Sequence, residues 1–65
     1  MEGEVTRWLD GRGYGFIEIE DEEDDVFVHY SELDETHALM KGQKVEFELE
    51  STTKGPRAVN VKVLG

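Results

Sequence analysis

Sixty-five residues without a single cysteine limit the chain to one small domain, residues 1–65, that neither a disulfide nor a thiolate metal site can staple. Sixteen acidic residues against seven basic ones give a formal charge of −9, which taken alone argues against a phosphate-binding surface. No apolar run approaches a bilayer span, and MEGEVTRW lacks the basic and apolar regions of a signal peptide. A soluble cytoplasmic protein with no membrane contact is expected.

Five extended segments follow one another along the chain. Residues 3–9 put Val5 and Leu9 on one parity and Thr6 and Trp8 on the other. Arg7 shares the inward parity, so a bulge or an edge position is expected there. Residues 14–20 alternate over Ile17 and Ile19, and the acidic loop DEED leads from them into residues 25–30 as a hairpin. In SELDETHALMKGQ, Ser31 with Asp34 three residues later has the spacing to cap a short helical turn. Leu33 and Leu39 are expected to plug the core from that connection. Gly42 turns the chain into residues 44–50, where Val45, Phe47 and Leu49 alternate with Glu46, Glu48 and Glu50. After a loop at 51–56, RAVNVKVLG closes the chain with Val59, Val61 and Val63 on one expected face.

Short strands with no long helix point to an all-β fold. A five-stranded antiparallel Greek-key barrel of oligonucleotide-binding type fits the length, with an SH3-like barrel as its competitor.

The strands carry a second face that a core does not explain. Only Phe47 of the six aromatic residues falls securely on an aliphatic parity. Trp8, Tyr14, Phe16 and Phe27 fall on the other, with His29 beside them, while Tyr30 closes its strand and is expected at the barrel's rim. A domain this small buries only about 60% of its unfolded surface, so withholding rings from the core is costly. A second minicore under a loop would explain one such ring. A cluster on adjacent strands is better explained as a binding surface. Flat rings suit nucleobases, since stacking contributes about 1–3 kcal/mol per base and tolerates any base. Duplexes hide those faces, so single strands are the expected ligand. Arg12 is placed to meet a phosphate or a base, and Gly13 and Gly15 would allow close approach of the ligand backbone. Arg7, Lys54 and Arg57 also lie outside the acidic blocks.

The stretch R12-G13-Y14-G15-F16-I17 resembles the first ribonucleoprotein motif of cold-shock domains, K-G-F-G-F-I, and V26-F27-V28-H29-Y30 resembles the second, V-F-V-H-F. G42-Q43-K44-V45-E46-F47 and K54-G55-P56-R57-A58-V59-N60-V61 are similar to the family's later segments. The resemblance runs in order along nearly the whole chain. It implies an oligonucleotide-binding barrel, binding of single-stranded RNA and DNA, and RNA chaperone activity. Three departures stand out. In the first strand Trp8 takes the family's Phe position and Arg7 its Trp position, so either could supply that contact. The loop at 31–41 is short and lacks an aromatic residue, for which His37 could substitute. The hairpin loop is unusually acidic, which would weaken a phosphate path near it.

Other constellations carry less. His29 and His37 have no thiol or well-spaced third ligand to complete a zinc set, and the acidic run 21–25 lacks the spacing of a calcium loop. G11-R-G13-Y-G15 matches neither a Rossmann turn nor a P-loop. Ser31 has no evident base, so no catalytic set and no enzyme is expected. No metal and no small-molecule cofactor are expected either, and a monomer is the expected state. The rival from another class is a protein-interaction barrel whose aromatic patch docks a peptide or self-associates.

Overall fold

A computed structural model describes residues 1–20, 24–34 and 36–64. Asp21, Glu22 and Glu23 of the acidic loop, and Glu35 of the acidic block after Ser31, lie outside the described residues, and with them most of the considered cation site. The strands are β1 (Glu2–Leu9), β2 (Tyr14–Glu18), β3 (Val26–His29), β4 (Lys44–Thr52) and β5 (Gly55–Val63), with a 3₁₀ turn at Tyr30–Glu32. They close into a barrel in the order β1-β2-β3-β5-β4. Four of the pairings are antiparallel and one, β3 with β5, is parallel. The expectation of a wholly antiparallel barrel is corrected at that seam. β3 and β5 are joined by the 3₁₀ turn, a loop and β4, a connection long enough to bring β5 in alongside β3 in the same direction.

Alternation decides which residues meet inside. Val5, Ile17, Val26, Val28, Val45 and Phe47 are buried, and Leu39 plugs the barrel from the long connection. Leu33 packs against this core while remaining partly exposed. No polar or charged side chain among the described residues is buried, so the interior carries no desolvation penalty. Ile19 is also buried although β2 ends at Glu18.

Two irregularities change which residues face in. The register of β1 against β2 slips between Val5 and Arg7, which fulfils the expected bulge and leaves Thr6 as the extra residue. On β4 and β5 the register slips between Glu46 and Glu48, where Asn60 adopts φ +52°. Asn tolerates this left-handed conformation better than most residues. The extra residue switches parity, so Ala58 and Val61 are the buried pair, and Val59 lies opposite Glu48 instead of sharing a face with Val61. Leu49 is corrected as well, being 41% exposed. β1 covers β4 only along Lys44–Glu46, so Leu49 lies beyond that closure, on the part of β4 that pairs with β5 alone.

Candidate nucleic-acid interface

Cross-strand partners share a face, so the register reads out the second face directly. Arg7 lies opposite Phe16, Phe16 opposite Phe27, and Phe27 beside Arg57. A row across four strands therefore runs cation, ring, ring, cation. A second row runs from Leu9 to Tyr14 to His29. Tyr14 and Phe27 lie 5.5 Å apart between centroids and 35° from parallel, while Phe16 sits edge-on to both. All three rings are half-buried, each packed against the next. Tyr30 is 49% exposed, and its ring lies 4.5 Å from that of His29. A groove of about 760 Å³ is lined by Phe16 and Phe27 together with Lys54, Pro56, Arg57, Asp24 and Asp25.

Trp8 is not on this face. The bulge at Thr6 moves Arg7 there and puts Trp8 opposite Gly15, where the indole packs partly against the core. The same shift brings Leu9, expected inside, to the side of Tyr14. The inward parity of Arg7 was the available signal, and the shift it announces carries on to residues 8 and 9.

The glycines also serve packing. A Cβ on Gly15 would collide with the Arg7 carbonyl and the Trp8 ring, and one on Gly13 would come within 2.7 Å of the Tyr30 ring. Gly13 has φ +72° and accepts a 2.9 Å hydrogen bond from the Tyr30 amide at its carbonyl, so the hairpin turn and Tyr30 fix each other.

The cations differ in their freedom. Arg7, Arg12 and Lys54 are exposed, whereas Arg57 donates from Nε to Glu50 Oε1 at 2.9 Å and its Nη2 forms an ion pair with the same oxygen at 2.8 Å. Glu50 is a neighbour that the charge pattern did not single out. Thr6 donates a 3.0 Å hydrogen bond to Asp25, tying the bulge to the start of β3. The turn after β3 is capped by His29 and not by Ser31, because the ring Nδ1 accepts from the Ser31 amide. His37 is exposed and lies in the long connection. Among the described residues no group of three or more His, Asp or Glu is arranged to hold a metal ion.

A closed five-stranded barrel with rings on the outer face of β2 and β3 and cations beside them on β1 and β5 defines an oligonucleotide-binding fold. The family of the 'Cold-shock' DNA-binding domain matches residues 1–64, and the chain belongs to that family of nucleic-acid-binding proteins. A cold shock-like protein of Aquifex aeolicus is 51% identical over 65 residues, covering 97% of this chain and 93% of its own. One from Thermotoga maritima is 49% identical over 98% of both chains, and the cold shock-like protein CspE of Escherichia coli is 42% identical over 98% of this chain and 96% of its own. Among solved structures, drosophila Unr CSD456 superposes with a TM-score of 0.80 at 22% identity, over 98% of this chain and 26% of that one, a likeness of fold.

Proposed function

We propose that residues 1–65 act as one cold-shock domain that binds single-stranded RNA and DNA by stacking bases on its outer rings, and that it serves as an RNA chaperone. The observation that carries this reading is the row Arg7–Phe16–Phe27–Arg57, in which two half-buried rings lie between two cations. Bases lie on Phe16, Phe27 and Tyr14, with His29 and Tyr30 extending the platform. Arg7, Arg12, Lys54 and Arg57 meet the backbone phosphates, and Trp8 borders the site from its seat over Gly15. Rings supply affinity that the net charge of −9 withholds, because screening confines the distant carboxylates to a modest repulsion. Trapping unpaired strands is an equilibrium process that needs no catalytic group and no cofactor, so the protein works as a binder and not as an enzyme; on this reading it does so as a monomer in the cytoplasm. No helix among the described residues is long and apolar enough to cross a membrane.

Trp8 provides the test. Unlabelled oligo-dT or oligo-rU should quench its fluorescence, and a duplex of equal length should do so far less. An emission spectrum unchanged by both single strands, together with a dimer in sedimentation, would turn the assignment toward a protein-interaction barrel.

A further inference from the structure

We infer that Ser31 fixes the tautomer of His29, so that the imidazole meets a bound strand with its Nε2–H as a directed hydrogen-bond donor. The inference rests on the platform reading above and adds a recognition chemistry to it.

His29 ends β3, and its Nδ1 lies 3.2 Å from the Ser31 backbone nitrogen and 2.9 Å from Ser31 Oγ. A backbone N–H can only donate, so Nδ1 must carry a lone pair and no proton. In a neutral imidazole the proton then resides on Nε2. His29 has extended backbone angles, φ −108° and ψ 148°, and is followed by the 3₁₀ turn that this side-chain contact caps. The Tyr30 ring at 4.5 Å and Tyr14 across the strand pair hold the imidazole on the platform. Among the described residues the hydrogen bonds of this ring all involve Nδ1, which leaves Nε2–H for a ligand.

The cations around the rings attract any phosphate. A neutral N–H on a flat ring instead asks where an acceptor lies. Its fit is an oxygen acceptor, supplied either by a base carbonyl such as thymine O4 or guanine O6, or by a non-bridging phosphate oxygen. Ser31 is thus a positioning residue acting through its amide.

Nitrogen-correlated NMR of the imidazole, at a pH where it is neutral, reads the tautomer in the free protein. A protonated Nε2 and a bare Nδ1 are expected, and a dominant Nδ1–H form would overturn the inference. Titration with oligo-dT gives the second arm. His29→Phe keeps a flat ring and loses the donor, so about three- to tenfold weaker binding is expected. Replacing the thymine carbonyl oxygens by sulfur should weaken wild type and leave His29→Phe unaffected if the acceptor is on the base. Methylphosphonate linkages should produce that pattern if it is on the backbone. If both strands weaken the two proteins equally, the donor role is lost while the platform stands. Failure of wild type to bind oligo-dT at all would remove the platform itself.

Discussion

The outer face of β2 and β3 and the outer face of β4 obey the same alternation, yet they carry opposite chemistry. On the first, Tyr14, Phe16 and Phe27 stand over the buried Ile17, Val26 and Val28. On the second, Glu46 and Glu48 stand over Val45 and Phe47, with Lys62 and Asn60 of β5 alongside. The core asks the same of both, namely an apolar residue at every second position. What the other positions carry is left to function on one wall and to solubility on the other. Rings that would stabilise a small core are kept half-open where they can receive a ligand, and carboxylates keep the remainder of the surface hydrated.

Exchanging the roles of inner and outer rings gives the sharpest contrast. Phe47 is fully buried, and Phe47→Ala should destabilise by about 3–5 kcal/mol, enough to abolish cooperative unfolding in plain buffer. Phe27→Ala should instead weaken oligo-dT by about 1–3 kcal/mol with a small change in melting temperature. Collapse of the Phe27 variant on the scale of the Phe47 one would make the outer rings a second core. Calorimetry and titration of the two variants decide between these outcomes.

Smaller effects come from charge. Ring-dominated binding should show a log–log salt slope of about −1 to −3, and a slope near −8 would assign the affinity to the cations. Glu50→Gln frees Arg57 from its 2.8 Å ion pair, so the slope should steepen by about one. The least effect is expected on the acidic wall. Its Lys44 ammonium is held above its ordinary value of 10.5 by a 2.7 Å hydrogen bond to Glu4 and by that carboxylate's charge, with Glu20 and Glu18 adding to the field. A raised pKa favours the folded state below the unfolded value and loses that contribution as pH climbs through the folded one. Glu4→Gln should therefore lower the melting temperature slightly at neutral pH, with the difference closing at high pH and oligo-dT affinity unchanged at neutral pH.

Much of the barrel is legible in the sequence because period-two patterning survives wherever a strand pairs regularly. Val26 and Val28 against Phe27 and His29 give β3 its two faces without further information. Legibility fails where one residue is inserted. The left-handed Asn60 reverses the parity of β5, and nothing in RAVNVKVLG singles it out, since Asn is ordinary in a loop and tolerable in a strand. On β1 the inward Arg7 announced a bulge, yet its consequence for Trp8 and Leu9 depends on where the register slips. The parallel seam was invisible for another reason: alternation tells each strand which way to face but not which neighbour to choose. The capping of the 3₁₀ turn by His29 is not legible in the sequence, because an imidazole is not among the usual caps.

The parallel seam has a mechanical implication. β3 meets β5 at only Phe27–Arg57 and Val28–Ala58, the shortest of the barrel's joints. The row Arg7–Phe16–Phe27–Arg57 crosses that joint, so an oligonucleotide lying along it would act as an external strap over the shortest joint of the wall. Its binding energy would then oppose the springing apart of the sheet there, and the occupied barrel would be open a smaller fraction of the time than the empty one.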